Sequence, residues 1–274
     1  MITLCAIASG SNGNCYYIGN SREAILVDAG ISGRQTINRM KQQNLDPALV
    51  KAIFISHEHA DHVCGARVLG KKLMVPVYTT RRTFSAMYNN HKPLAPRFFE
   101  PGTEITVGSF SIFPFLKNHD AAQPCSFRVS YNGIHTGVFT DIGVACERVI
   151  SELSRCHVLF LESNYDEKML WDGRYPWHLK QRIASDHGHL SNDQAFDLIN
   201  RHSGNQLQLV FLSHLSAENN TPEKAMDRFS ELRERYQICL TSRYAPGEVV
   251  FVPATAAAAA AVGSLPPTQL KLEL

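Results

Sequence analysis

The sequence predicts a mixed α/β (α+β) fold with four layers, in which two β-sheets are sandwiched between helices in an αββα arrangement. Strand-like runs cluster in each half of the chain, and helical segments lie between them. At 274 residues and 44% hydrophobic content, the chain is long enough to bury such a core. Because no linker or repeat interrupts residues 1–252, we expect them to form a single domain.

The first half of the chain is predicted to be rich in strands. Its β-branched or apolar runs are short and are separated by Gly, Asn and Ser, as hairpins require. A helix is expected after Gly30, with Ser32 as its N-cap. The other predicted elements are strands 2–8, 15–19, 23–28, 51–55, 74–79, 104–107, 110–116, 125–131 and 134–139, and helices near 62–73 and 81–90.

The second half repeats the order of strand, polar tip and helix. Strands are predicted at 156–161 and 207–212. A Ser191-x-x-Gln194 capping box begins a predicted helix 192–202. Thr221-Pro222-Glu223, a cap followed by proline, begins another at 222–235. Residues 253–274 form a low-complexity, alanine-rich tail to which the sequence assigns no function.

Composition indicates which binding partners and which cellular compartment to expect. A formal net charge of +2, from 27 basic and 25 acidic residues, does not by itself indicate nucleic acid, an anionic membrane or an acidic partner. Seven scattered cysteines without a C-x-x-C pair are typical of reduced core thiols and therefore of a cytoplasmic protein. The N-terminal apolar stretch stops at Ser9, and no run approaches the roughly 20 apolar residues of a membrane span.

The strongest chemical signal is the segment HEHADH, which follows a predicted strand. It places His57, His59, Asp61 and His62 within six residues, and imidazole and carboxylate side chains are common metal ligands. In an extended tip His57, His59 and Asp61 would project to one side, while His62 would turn away as a helix begins. The segment can therefore serve two adjacent metals, whereas the alternative is a solvated polar loop.

Three further ligand-type residues each come just after an apolar strand. They are His119, Asp141 and His214. Each alone would be an ordinary loop residue, but their common placement at strand ends predicts a two-metal site together with the HEHADH segment. Imidazole and carboxylate ligands suit Zn, Mn or Fe, and the sequence does not choose among them.

These motifs resemble the metallo-β-lactamase superfamily, from HEHADH through the later histidine to Asp141 in TDIG and His214 in SHLS. The resemblance covers residues 1–252. It implies that His57, His59 and His119 hold one metal ion. It also implies that Asp61, His62 and His214 hold another, with Asp141 bridging the two and Asp61 also a candidate catalytic residue. Asp28 in LVDAG would support a ligand without binding metal itself.

The segment SDHGHLSN holds a candidate general acid. His189 comes two residues before the helix cap Ser191, where a helix N-terminus favours phosphate, although it could merely cap or pack. GHLS resembles the Gly-His-Ser/Thr segment of the ribonuclease Z branch, which implies a proton donor paired with a glutamate. Glu162 in LFLESNY matches that glutamate. The inserted Leu190 departs from the pattern.

A narrower resemblance is to the YycJ/WalJ/VicX family. It is carried by SGSNGNCYYI, LESNYD, YPWHLKQRI, SDHGHLSN and SHLSAENN, and it implies exonuclease activity on DNA. Only residues 142–213 separate Asp141 from His214, so no long β-CASP insertion fits there.

Two other segments allow two interpretations each. The turn at residues 9–14, SGSNGN, could contact a phosphate through its N–H groups or be a plain hairpin turn. A second stretch interleaves aromatic and basic side chains, as a surface that stacks bases would, or it packs in the core with its cations at the surface. This stretch contains Trp171, Arg174, Tyr175, Trp177, Lys180 and Arg182.

The sequence therefore predicts a dinuclear-metal-dependent phosphodiesterase that acts on nucleic acid, foremost a DNA exonuclease. One alternative is a small-molecule metallohydrolase acting on a cyclic or lipid phosphodiester or on a lactone. Another is a non-catalytic, metal-binding regulatory protein. Two metals alone do not select among hydrolysable substrates, and the oligomeric state is not predicted.

Overall fold

Two seven-stranded sheets form the centre of the molecule, in a computed structural model that describes residues 1–253. The predicted tail lies outside these residues from Ala254 onward. The strands are β1 Ile2–Ala8, β2 Cys15–Gly19, β3 Ala24–Val27, β4 Val50–Phe54, β5 Val77–Thr79, β6 Pro96–Phe98, β7 Ile105–Val107, β8 Phe110–Leu116, β9 Cys125–Tyr131, β10 Ile134–Phe139, β11 Val158–Glu162, β12 Leu209–Ser213, β13 Gln237–Leu240 and β14 Val250–Val252.

The described α-helices follow the same chain order. They are α1 Gly33–Gln42, α2 Ala60–Val63, α3 Ala66–Leu73, α4 Arg81–Ala86, α5 Glu147–Leu153, α6 Glu167–Asp172, α7 Trp177–Ile183, α8 Asn192–His202 and α9 Pro222–Arg228, with 3-10 turns at Pro47–Leu49 and Ser230–Glu234.

Strand order shows how the two halves of the chain divide. The first sheet has the order β14-β1-β2-β3-β4-β5-β6, and the second has the order β13-β12-β11-β10-β9-β8-β7. Strands β3 to β6 run parallel, and so do β10 to β13. Among the strands of residues 1–253, β14 alone returns to the first sheet from the second half of the chain, and it pairs antiparallel with β1.

Alternation along the strands produces the four layers. In β1, Leu4 belongs to the core between the sheets, whereas Cys5 packs in a second core that α1 and α3 cover. In β11, Phe160 points between the sheets, and Leu161 packs in a third core with α5, α8 and α9. Because both faces of each sheet are covered, β11 and β12 are buried at every residue. This is the predicted αββα arrangement.

The cap signals predicted the helix starts correctly. Ser32 and Gln35 form a capping box at α1, and Ser191 and Gln194 form one at α8. Thr221 caps α9. These local side-chain-to-backbone bonds depend on a few adjacent residues, which explains why the sequence alone identifies them.

Several boundaries differ from the prediction. The helix expected at 62–73 is broken at Gly65, whose N–H donates to the Ala29 carbonyl at 2.8 Å. A Cβ there would lie 2.1 Å from the Ile31 carbonyl oxygen, so the chain needs glycine at this close approach. Met74 ends α3 in the left-handed conformation, with φ 56°, and delays the next strand to Val77.

Other segments end early or were not predicted. The helix expected at 81–90 stops at Ala86, and the one expected at 222–235 becomes a 3-10 turn after Phe229. Strands β6, β13 and β14 and helices α5, α6 and α7 were missed. The three strands are only three or four residues long, too short for a periodic pattern.

Two further expectations concerned reduced core cysteines and membrane-spanning segments. All seven cysteines are unpaired, and Cys5, Cys15, Cys125 and Cys156 are buried, whereas Cys64 is exposed. Within residues 1–253, every helix is too short or too polar to cross a lipid bilayer.

Candidate metal centre

Half of the candidate site residues lie at or just beyond the ends of parallel strands in the two sheets. Strands β3 and β4 lead to Asp28 and His57, and β10, β11 and β12 lead to Asp141, Glu162 and His214. In sheets of this kind the crevice outside the carboxyl ends of the strands is where ligands bind. The two sheets therefore bring together residues that are far apart in sequence.

Three of these residues share an unusual backbone conformation. Asp28, Asp141 and His214 have φ values of 62°, 55° and 56°. A left-handed residue other than glycine is uncommon and costs on the order of 1–3 kcal/mol. The surroundings hold it in place: the Asp28 N–H donates to the Phe54 carbonyl at 2.7 Å, and the His214 N–H donates to Ser9 Oγ at 2.8 Å. Such strain is typical of functional sites.

The HEHADH segment divides between two clusters in the way that the family resemblance implied, but not in the way that the extended-tip argument predicted. Asp61 lies with His62, not with His57 and His59. His59 is extended, with φ −60° and ψ 146°, and is the N-cap of α2. Because the helix begins at Ala60, the two-residue alternation of an extended tip ends at His59. The expectation that Asp61 projects with His57 and His59 was therefore wrong.

The first cluster, here called the nitrogen cluster, consists of His57, His59 and His119. Nδ1 of His59 lies 3.2 Å from Nε2 of His57 and 3.3 Å from Nε2 of His119. The outer nitrogens of the other two rings are occupied: His57 Nδ1 lies 2.9 Å from Ser56 Oγ, and His119 Nδ1 lies 3.1 Å from the Gly188 carbonyl. Three ring nitrogens therefore face one another.

Burial keeps two of these rings neutral. It lowers the pKa of His57 well below its ordinary value, and the neighbouring His62 lowers it further. Burial also lowers the pKa of His119 to about 3, although the Asp141 carboxylate opposes it. A metal ligand must be a deprotonated imidazole, so these rings are in the form that binds a cation.

The second cluster, the carboxylate cluster, consists of Asp61, His62, Asp141 and His214. His62 Nε2 lies 3.2 Å from Asp141 Oδ2 and 3.4 Å from Asp61 Oδ2. Asp61 Oδ2 also lies 3.5 Å from His214 Nε2. The potential ligand atoms in this cluster all lie within 4.8 Å of one another.

In the carboxylate cluster the histidine pKa values shift upward, opposite to the shift in the nitrogen cluster. Burial acts to lower the pKa of His214, but Asp141 and its neighbours outweigh burial and raise the pKa to about 10. The carboxylates likewise raise the pKa of His62 well above its ordinary value against the effect of burial. Buried negative charge thus attracts protons here, and it would attract a metal cation for the same reason.

Outer hydrogen bonds orient the rings of this cluster. His62 Nδ1 lies 2.7 Å from Asp28 Oδ2, and the other Asp28 oxygen accepts the Ser56 N–H at 2.8 Å. His214 Nδ1 lies 2.9 Å from Glu162 Oε1. A carboxylate behind an imidazole fixes the tautomer and leaves the inner nitrogen free for a metal.

Two buried atoms test whether these residues fit metal ions. Within residues 1–253, Asp141 Oδ2 and His214 Nε2 are buried and make no hydrogen bond. Leaving such atoms unsatisfied costs free energy, and a cation between the clusters would satisfy both. The donor set of imidazoles and carboxylates is one that Zn and related ions accept. The buried clusters could therefore hold a dinuclear metal site.

His189 lies beside both clusters and is paired with Glu162. Its Nδ1 lies 2.8 Å from Glu162 Oε1, and its side chain is 18% exposed whereas that of Glu162 is fully buried. Its ring centroid lies 5.3 Å from those of both His119 and His214. Burial acts to raise the pKa of Glu162, but His189 and other partners lower it to about 2.

The inserted Leu190 does not disrupt this pair. Its N–H donates to Glu162 Oε2 at 3.2 Å, and its carbonyl accepts the Asn164 N–H at 2.9 Å. Its side chain packs in the core between the second sheet and its helices. The insertion thus adds a hydrogen bond to Glu162, which also accepts the Ile142 N–H at 2.7 Å.

Sequence reasoning missed two residues at this centre. Asn14 Nδ2 donates to the Asp61 carbonyl at 3.3 Å and lies 3.1 Å from His62 Nε2. Lys117 is buried, donates to the Thr140 carbonyl at 2.5 Å and lies 4.0 Å from Asp141 Oδ2. The only signals were the SGSNGN turn and the position of Lys117 two residues before His119.

The SGSNGN turn joins β1 to β2, which pair antiparallel, so it is a hairpin turn. Asn14 fixes it to the metal centre: its N–H donates to the Asp61 carbonyl at 2.8 Å, and its carbonyl accepts the Gly30 N–H. A Cβ on Gly30 would lie 1.6 Å from the Asp61 carbonyl oxygen. Contact of this turn with phosphate stays a prediction.

Comparison with known proteins places these features in a family. Residues 23–214 match the family model described as a β-lactamase superfamily domain. The structure resembles that of the metallo-β-lactamase fold protein YhfI from Bacillus subtilis, with a TM-score of 0.69 at 16% identity, over 92% of this chain and 100% of that one. The predicted fold class is thereby confirmed.

Two curated relatives are similar over most of their length. Exodeoxyribonuclease WalJ of Streptococcus pneumoniae is 36% identical over 224 residues, which are 80% of this chain and 83% of that protein. Exodeoxyribonuclease YycJ of Bacillus anthracis is 36% identical over 231 residues, which are 83% of this chain and 88% of that protein. The chain therefore belongs to the β-lactamase superfamily and, within it, to the family of WalJ and YycJ.

Proposed function

We propose that this protein is a DNA exonuclease that hydrolyses phosphodiester bonds with two divalent metal ions. The observation that carries the proposal is the pair of adjacent buried ligand clusters with His189 and Glu162 beside them. The 36% identity to relatives named exodeoxyribonucleases supports DNA as the substrate. The same relatives and the unpaired cysteines favour the cytoplasm as its location.

We assign the ligands by cluster. His57, His59 and His119 would hold one ion; Asp61, His62 and His214 would hold the other; and Asp141 would be shared. Zn or Mn fits these donors, and Fe is also compatible. When bound, two such ions polarise the phosphoryl oxygens and lower the pKa of a coordinated water.

The chain's own residues prepare this site for that chemistry. Asp28 holds His62 Nδ1 and Glu162 holds His214 Nδ1, so that each ring presents Nε2 to the centre. His59 would differ from the other histidines by using Nδ1, because this atom faces Nε2 of both His57 and His119. Asp61 would also orient the attacking water, as an acceptor at the partly exposed side of the centre.

His189 would protonate the leaving group. Its Nδ1 is committed to Glu162, so the opposite nitrogen, Nε2, is the one available to substrate. The attacking water gives up one proton to solvent as its oxygen bonds to phosphorus. The bond from phosphorus to the leaving oxygen breaks, and the Nε2 proton passes to that oxygen. Glu162, whose low pKa keeps it ionised, stabilises the protonated ring before the transfer.

Cleavage of end-labelled DNA tests the proposal. Metal-stripped protein is resupplied with Mn or Zn and given single- or double-stranded DNA, with His59→Ala as the matched inactive control. Products shortened from one end, absent with His59→Ala, are expected. Turnover of bis(p-nitrophenyl) phosphate without attack on DNA would instead indicate the small-molecule alternative, and no turnover with either metal would indicate the non-catalytic one.

A further inference from the structure

The two tryptophans of the chain form an exposed pair near the metal centre. Trp171 lies in the last turn of α6, and Trp177 begins α7. Their ring centroids are 5.4 Å apart, with the planes inclined at 45°. Trp171 is 38% exposed and Trp177 is 64% exposed. Core packing therefore does not hold for the two tryptophans. Of the three cations in the stretch, Arg174 and Arg182 lie at the surface and Lys180 is buried.

Hydrogen bonds hold this tryptophan pair in place. The Trp171 indole N–H donates to Glu167 Oε2 at 3.0 Å. The Trp171 carbonyl accepts a hydrogen bond from the buried Lys180 Nζ at 2.6 Å. The backbone that carries the pair is thus fixed between α6 and α7, so little conformational freedom would be lost when a flat ligand stacks on the rings.

Helix α7 connects the pair to the metal centre. Near its end, Arg182 Nε lies 2.5 Å from Asp120 Oδ2, and Asp120 Oδ1 lies 3.4 Å from His119 Nε2. The Ile183 carbonyl accepts the N–H of His189 at 2.9 Å. Trp177 and Arg182 are five residues and about 7.5 Å apart along the helix axis, on different faces of α7. The two ends of this short helix therefore carry the tryptophan and the contacts to the proposed reaction site.

The segment that carries the pair is basic, although Arg182 already pairs with Asp120. Residues 173–185 contain no acidic residue, and Arg174, His178 and Arg182 are exposed. His178 and Arg182 are four residues apart in α7 and so lie on the same helix face. The net charge of the whole chain is only +2, so this positive strip is a local feature.

We propose that Trp171 and Trp177 stack the unpaired bases of a single-stranded DNA end, while Arg174, His178 and Arg182 contact its phosphates and lead it to His189. This inference rests on the proposed function and adds a substrate-binding surface to it. Aromatic stacking with neighbouring cations is how proteins hold single strands without reading sequence. Paired bases in a duplex do not expose the ring faces that such stacking requires.

Intrinsic tryptophan fluorescence tests this directly, because both tryptophans of the protein lie in the pair. Metal-loaded, full-length protein is titrated with a phosphorothioate oligothymidylate, which resists cleavage, and with a blunt duplex of equal length. Saturable quenching by the single strand, at lower concentrations than by the duplex, is expected.

Variants assign the effect to the ring. Trp177→Ala should weaken binding of the labelled single strand about 5- to 150-fold, as measured by fluorescence anisotropy, and Trp177→Phe should restore much of it. The matched control is Phe251→Ala on β14, which removes another exposed aromatic ring, 59% exposed, from the edge of the first sheet. Its affinity should equal that of the wild type. Circular dichroism confirms that each variant is folded.

Three results would overturn the inference: no quenching by the single strand, equal quenching by the blunt duplex, or a Trp177→Ala affinity equal to that of the wild type. A wild-type dimer that Trp177→Ala makes monomeric would show the pair to be a protein interface, which also overturns it. Activity on end-labelled DNA and on bis(p-nitrophenyl) phosphate tests the proposed function separately. An active nuclease whose tryptophans do not respond would refute this surface alone.

Discussion

The nitrogen cluster and the carboxylate cluster lie side by side, yet they prepare the same residue type in opposite ways. In the nitrogen cluster, burial lowers the pKa values of His57 and His119. In the carboxylate cluster, the neighbouring carboxylates raise the pKa values of His62 and His214 despite equal burial. The difference shows that burial keeps a histidine neutral unless neighbouring carboxylates outweigh it.

This contrast has a consequence for metal binding. The nitrogen cluster offers neutral donors, whereas the carboxylate cluster buries negative charge that only protons or a cation can offset. We therefore expect the carboxylate cluster to hold its ion more tightly. Asp141, which lies 3.2 Å from His62 Nε2 and 3.8 Å from His119 Nε2, connects the two clusters.

Removal of Asp141 should have the largest effect on metal content and activity, and it should reduce the difference in charge between the two clusters. Asp141→Ala should lower the metal content from two ions to below one per chain. DNA cleavage should fall by more than the roughly 10- to 100-fold that outer partners of ligands cost. Metal analysis and initial rates measure this, with the exposed Asp227→Ala on α9 as the control. Two ions retained by Asp141→Ala would refute its shared role.

Removal of His189 should reduce activity without changing either cluster. His189→Ala is expected to slow DNA cleavage about 10²- to 10⁴-fold, because the leaving alkoxide loses its proton donor. Turnover of bis(p-nitrophenyl) phosphate should fall much less, since nitrophenolate leaves without protonation. The metal content should stay at two ions. A loss of one ion would instead make His189 a ligand, since it groups with Asp141, Glu162 and His214.

Replacing the carboxylate that contacts His62 Nδ1 should weaken metal binding by the carboxylate cluster alone. Asp28→Asn should lower the affinity of the carboxylate cluster for its ion about 10- to 100-fold, because His62 loses the carboxylate at its Nδ1. The affinity of the nitrogen cluster should stay the same. Competition with a chelator of known affinity separates the two sites, and equal weakening of both would contradict their independence.

Metal removal should have a modest effect on thermal stability and should show which cluster releases its ion first. Stepwise chelation is expected to remove the ion of the nitrogen cluster first. Complete removal should lower Tm on the order of 10 °C, because ions bound only by the folded protein stabilise it. Calorimetry with and without chelator measures this. Loss of both ions in a single step would show that the clusters do not differ in affinity.

The sequence predicted the elements whose signals are local. The Ser191 and Thr221 caps act within a few residues, and the apolar strands β11 and β12 are buried at every position. The close spacing of metal-ligand side chains in HEHADH is likewise a local signal. In these places the sequence pattern agrees with the local structure, so the sequence alone was sufficient to predict them.

The remaining features depend on contacts between distant segments. Gly65 breaks a helix because the Ala29–Ile31 backbone passes against it. Asp61 joins the carboxylate cluster because the helix begins at Ala60, two residues earlier than a strand-like tip through Asp61 would allow. Asn14 and Lys117 reach the centre through the folding of other loops, and no spacing in the sequence indicates those distances.

The approach of Gly30 to the metal loop limits how this protein can change. An added methyl group would meet the Asp61 carbonyl oxygen at 1.6 Å, and backbone on both sides leaves it no room. The loop would have to shift by more than an ångström, and a misplacement of about 1 Å can cost on the order of 10²-fold in rate. Position 30 therefore tolerates no side chain while the loop keeps its place, although glycine has no side chain that could bind a metal ion.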